Sequence, residues 1–140
     1  MTPAQAFRLS AVGLFATLAA PVSAAAEVPA IGQVEYITEG LIDTAIAYEI
    51  GRVCDSLEGR RLQGLAFLWS LEGHARRLGF SNEEIQAYIR NREEKARLEG
   101  IARARLRAMG AVEGQAETYC AVGRAEMEKG SRIGGLLAPA

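Results

Sequence analysis

The sequence predicts an all-α protein: a small bundle of about four helices, tied by one disulfide and preceded by an N-terminal signal peptide. Three observations carry this reading. Apolar residues recur at three- and four-residue steps along most of the chain, and strand-type alternation of apolar and polar residues is missing. No proline lies between Pro29 and Pro139, so nothing in that span forces a helix to stop for want of a backbone N–H. The two cysteines, Cys54 and Cys120, form a single candidate pair. A length of 140 residues suits one domain.

The balance of 16 basic and 17 acidic residues excludes a chain that binds nucleic acid by bulk charge. One histidine and two cysteines are too few soft ligands for a structural zinc site without carboxylates.

The chain opens with one charge, Arg8, followed by a predominantly apolar run from Leu9 to Ala20. Pro21 ends the run, and Val22-Ser23-Ala24-Ala25-Ala26-Glu27 offers small residues for cleavage after Ala24 or Ala26. A positive start, a short apolar stretch and a small-x-small site make a secretory signal peptide. The run is shorter than the ~18 residues a membrane-spanning helix needs. Residues 1–26 are therefore read as the signal peptide and 27–140 as a single helical domain, without a transmembrane segment, placed in the periplasm or secreted. In that oxidising setting Cys54 and Cys120 are expected to form one intramolecular disulfide. Free thiols or an intermolecular bridge are the alternative.

The first helix is expected over about Gln33 to Cys54, where Val34, Ile37, Leu41, Ala45 and Tyr48 make an apolar stripe. Its other positions carry Glu35, Glu39, Asp43 and Glu49. Gly59 is expected to follow it as a break. The second helix, about Arg61 to Leu78, holds the nearly all-apolar run Leu65-Ala66-Phe67-Leu68-Trp69-Ser70-Leu71. That pattern predicts a helix covered on most sides, at the centre of the bundle. Gly79 stands where its terminating glycine belongs.

The third helix has the sharpest start. Ser81 at the N-cap and Glu84 three positions on form a capping box, and Phe80 with Ile85 forms a hydrophobic staple. Gly110 is expected to end this helix after Met109. Its apolar face turns by roughly half a circle across residues 90–97. That predicts a kink or change of partner near Gly100, with Arg90 to Lys95 solvated. A loop over Gly110 to Ala116 precedes a fourth helix, about Glu117 to Lys129, ended by Gly130. The apolar residues of the tail, Ile133, Leu136 and Leu137, are available for docking, and Ala138-Pro139-Ala140 is expected to fray.

Charge is uneven. Acids dominate from Glu27 to Glu58, and bases dominate from Arg76 to Arg107. The simpler reading is mutual attraction of the first and third helices. The sharper one is a basic face for an anionic partner, blunted by the acids interspersed within it.

Chemistry is sparse. His74 is the sole histidine, and Glu72, two residues before it, would not face it on a helix. It reads as a surface histidine near a helix C-terminus. No Gly-x-Ser-x-Gly elbow and no phosphate loop occur. Glu83-Glu84 and Glu93-Glu94 diverge on a helix, and Glu35, Glu39 and Asp43 read as a solvated face. Trp69, Phe67 and Tyr48 read as core, with a small-molecule cleft as the alternative.

The stretch Glu117-Thr118-Tyr119-Cys120-Ala121-Val122-Gly123-Arg124-Ala125-Glu126 resembles small exported proteins of unknown function from Rhodobacter-type alphaproteobacteria. Leu65-Ala66-Phe67-Leu68, Leu78-Gly79-Phe80-Ser81 with Glu84-Ile85, and Gly130-Ser131 with Ile133-Gly134 add to the resemblance. It implies an exported compartment and no chemistry.

The expectation is an exported helical module without catalysis, metal or cofactor, acting through a protein partner in the cell envelope or as a structural element. A bundle that binds a small apolar or anionic ligand is the alternative. An enzyme using His74 ranks last. A filled, closed core counts against the ligand reading, since a ligand site needs a concavity of ~300 Å³ or more.

Overall fold

The computed structural model describes residues 29–140; the predicted signal peptide and its cleavage site lie outside them. A single 3-10 turn, Ile31–Gln33, leads into helix α1 (Glu35–Val53). Then come strand β1 (Leu57–Gly59), α2 (Arg61–Arg77), α3 (Asn82–Ile89), α4 (Arg92–Ala108), α5 (Ala116–Lys129), α6 (Arg132–Gly135) and strand β2 (Leu137–Pro139). The molecule is mostly helical, as expected, but it has six α-helices among the described residues rather than about four.

α1 lies at the centre, in place of the predicted second helix. Ile42, Ile46 and Ile50 are buried in the main core with Leu98, Ala102 and Leu106 of α4 and Val122 of α5. The near-continuous apolar circumference of α1 thus meets neighbours on several sides. Gly40 marks the approach of α2, because a Cβ there would press on Leu71 and Phe67. A second, smaller core joins Ile31, Ile37, Ala75 and Ile85, with Phe80 and Tyr88 packed against it.

The predicted third helix is two helices. Ser81 and Glu84 make the capping box: the Ser81 Oγ accepts from the Glu84 N–H at 3.2 Å, and the Glu84 carboxylate accepts from the Ser81 N–H at 2.6 Å. The helix that starts there stops at Ile89. Asn91 then caps α4, its side-chain oxygen accepting from the Glu94 N–H at 3.0 Å. The break falls at Arg90–Asn91, and Gly100, where a kink was expected, sits within α4. The rotation of the apolar face across this stretch reflects two helices, each with its own stripe. The glycines expected to follow helices, Gly79, Gly110 and Gly130, do stand just beyond α2, α4 and α5.

The tail is paired, not frayed. β2 runs antiparallel to β1, with Leu57 opposite Pro139 and Gly59 opposite Leu137. The Ala140 N–H donates to the Ser56 carbonyl at 3.1 Å. Gly59, expected as a break, is part of this ribbon. Cys54 and Cys120 are joined by a disulfide with a Cα–Cα distance of 5.2 Å. It ties α5 to the end of the central helix, as the one intramolecular disulfide expected from the sequence.

Candidate binding groove

α2 is the helix whose surroundings differ most from expectation. It rests on α1 through Leu71 and Ala75, the two of its residues that are buried. The rest of its apolar surface faces outward: Leu62 is 80% exposed and Trp69 63% exposed. Tyr48 of α1, also read as core from the sequence, is 69% exposed. Phe67 alone of the three aromatics packs against the main core. The sequence shows α2 to be apolar on most sides, but among the described residues no further helix covers the side turned away from α1.

The uncovered side forms one wall of a groove of about 920 Å³. Leu65, Leu68 and Trp69 line it from α2, and Leu98, Ala102 and Leu106 line it from α4. Leu41, Ala45 and Tyr48 of α1 lie between them, and Ile85 and Ile89 of α3 contribute at the side. α3 and α4, separated by the break at Asn91, both present apolar residues to this concavity. No lining residue comes from the ribbon, α5, α6 or the two cysteines.

The charges lining the groove are nearly all paired. Glu49 accepts from Arg52, Glu72 from Arg76 at 2.8 Å and Glu94 from Arg97 at 2.6 Å. Glu99 lies 3.8 Å from Lys95. Glu94 also accepts from the Tyr88 hydroxyl at 2.9 Å. The Arg97 guanidinium, helped by Tyr88, holds the Glu94 carboxyl below its usual range. Burial and the adjacent Glu94 push the Tyr88 phenol well up, so it stays a neutral donor. Among the described residues Arg103 is the one groove-lining cation without a carboxylate within salt-bridge distance.

His74 lies outside the groove lining, with its ring centroid 4.5 Å from that of Tyr36. Near Tyr36, Arg132 of α6 places its guanidinium 5.8 Å from the Tyr36 ring and 5.1 Å from the Phe67 ring, and donates to Asp43 at 3.1 Å. Arg105 of α4 grips Glu39 of α1 through two hydrogen bonds of 2.6 and 2.7 Å. This pair is the attraction expected between the acidic first helix and the basic stretch that follows. Among the described residues no group of three His, Cys, Asp or Glu side chains is placed to hold a metal ion, and no helix is long and apolar enough to cross a membrane.

Sequence reasoning had Trp69 and Tyr48 in hand as cleft candidates but set them in the core. The signal that would have separated the two readings is the pair of helix starts at Ser81 and Asn91. Asn91-Arg92-Glu93-Glu94 repeats the cap-x-x-Glu pattern of Ser81 to Glu84. Among the described residues neither of the two shorter helices covers the outer face of α2, where Leu62 and Trp69 are exposed.

Over residues 29–138 the sequence matches the model of a family described as Family of unknown function (DUF5333). No curated protein and no solved structure matches the chain.

Proposed function

We propose that this chain, which belongs to the DUF5333 family of unknown function, is an exported, non-catalytic binding protein that seats an apolar ligand between α2 and α4. The observation that carries the reading is the groove itself. Its volume of about 920 Å³ falls in the range of ligand sites, and its lining combines apolar side chains from four helices with six charged ones. Burying Trp69, Leu65 and Leu68 against a ligand would remove exposed apolar surface at ~25 cal/mol per Å². Of the readings open from sequence, this concavity favours ligand binding over a purely structural module.

Export is supported by the signal-peptide pattern ahead of Glu27 and by the Cys54–Cys120 disulfide, which suits an oxidising compartment. A non-catalytic role is supported by the placement of His74 against Tyr36 and by the pairing of every carboxylate at the groove with a cation. At Glu94 the Arg97 guanidinium holds the carboxyl below its usual range, which keeps it ionised rather than poised for proton transfer. A second reading is an amphipathic helix of a protein partner laid in the groove. Leu62 favours it, because this exposed leucine continues the apolar face of α2 beyond the groove lining.

Titration of the purified mature protein with the neutral fluorophore N-phenyl-1-naphthylamine tests the proposal. Trp69, the sole tryptophan, serves as an internal reporter. Saturable one-to-one binding with quenching of Trp69 is expected, and Leu68→Asp should abolish it while leaving the helical circular dichroism intact. Binding that does not saturate, or that survives Leu68→Asp unchanged, would overturn the reading.

A further inference from the structure

We infer that the occupant of the groove is a single-chain amphiphile ending in one carboxylate, with Arg103 as the residue that receives the head group. The inference rests on the groove reading above and adds the ligand class to it. Its basis is the charge balance of the lining. Four carboxylates and two cations line the groove; Arg52, Arg76 and Arg97, outside the lining, answer Glu49, Glu72 and Glu94, and Lys95 within it lies 3.8 Å from Glu99. The charge left over is the exposed guanidinium of Arg103.

A guanidinium matches a carboxylate through two parallel N–H donors, so one arginine neutralises one such group. A phosphate monoester carries nearly two negative charges at neutral pH and would leave one unanswered. The apolar part of the site has the length for a hydrocarbon chain. Arg103 lines the groove from α4 and Asn91 from its N-cap, and at 1.5 Å per residue about 18 Å of helix separates them, close to an extended chain of roughly fourteen carbons. Leu98 and Ala102 line the groove between them, beside Glu94, Lys95 and Glu99, and Ile85 and Ile89 line it from α3.

Displacement of the neutral fluorophore by laurate, 1-dodecanol, dodecylammonium and dodecyl phosphate tests the assignment. Laurate should bind about fivefold more tightly than 1-dodecanol, the gain of one partly exposed charge-assisted pair. Dodecylammonium should bind more weakly than either. Arg103→Gln should bring laurate down to the affinity of 1-dodecanol without moving 1-dodecanol itself. Arg107→Gln, on the same helix but outside the groove lining, should leave the preference intact. A laurate preference that persists in Arg103→Gln, or its absence from the native protein, overturns the head-group assignment while fluorophore binding upholds the groove. Tighter binding of dodecyl phosphate overturns the carboxylate. Failure of the fluorophore and all four amphiphiles to bind removes the groove reading itself, and with it this inference.

Discussion

Glu39 and Asp43 sit one turn apart on α1, and their surroundings push them in opposite directions. The Glu39 carboxyl is held below its usual range, chiefly by the hydrogen bonds from Arg105 and against a smaller cost of burial. Its folded pKa is lowered, so its contribution is fully present above the ordinary value of 4.5 and is lost as pH falls through the lower folded value. For Asp43, burial outweighs the attraction of Arg132 and pushes the carboxyl up. Its ionised form therefore costs stability at neutral pH, and protonation on acidification favours the fold. Both partners of the Glu39–Arg105 pair are more than a third exposed, which limits the pair to about 0.2–1 kcal/mol. Glu39→Gln should accordingly cost about that much at pH 7 and progressively less as pH falls below 4.5. Urea melts of both proteins at pH 7 and pH 3 measure the difference. A penalty that stays constant across that interval would mean that it does not come from the ionised Glu39 carboxylate.

At the scale of elements, local chemistry was legible and coverage was not. Ser81 and Glu84 announce α3 because a capping box needs only neighbouring residues. Gly130 ends α5 for a similarly local reason, with a left-handed φ of 67° that Gly adopts freely. Whether the apolar surface of α2 is covered depends on how many other helices reach it, which periodicity does not encode; Leu65 and Trp69 would read the same in a core or in a groove. The β1–β2 ribbon escaped for another reason. Leu57-Glu58-Gly59 and Leu137-Ala138-Pro139 are too short for alternation to register, and each is a strand only because the other is beside it. The same long-range fit places α6 so close to α5 that a Cβ at Gly134 would overlap the Glu126 carbonyl. Backbone cannot rotate away as a side chain can, so Gly134→Ala should destabilise by about 1–3 kcal/mol. Gly135→Ala, where nothing stands within 4 Å of the added carbon, is the control. Equal denaturant midpoints for the two variants would show that α6 is not seated on α5.

The molecule has a clamped half and a half with a smaller core, and the groove is lined by residues of both. The larger core, with sixteen buried residues, contains both cysteines and the strand residues Leu57 and Leu137, whereas the smaller core, under α2 and α3, has only four. Arg60 adds to the clamp, its N–H donating to the Leu136 carbonyl at 2.8 Å and its guanidinium to the Gly135 carbonyl at 3.1 Å. The disulfide spans a sequence separation of 66, for which loop-closure entropy gives up to about 4 kcal/mol. That is a large share of the ~5–15 kcal/mol that holds a typical domain. Its loss should lower the melting temperature by roughly 10 °C or more, measured on native protein and on Cys54→Ser/Cys120→Ser. The groove takes no residue from the clamped segments beyond Leu106. Below the new melting temperature the double variant should therefore bind N-phenyl-1-naphthylamine with unchanged affinity. Amide exchange should be fastest in α2 and α3 in both proteins, because a four-residue core resists local opening less than a sixteen-residue one. Uniform protection across α1 to α5, or fluorophore affinity that falls with the disulfide, would mean that the two halves open as one unit and that the clamp holds the groove in shape.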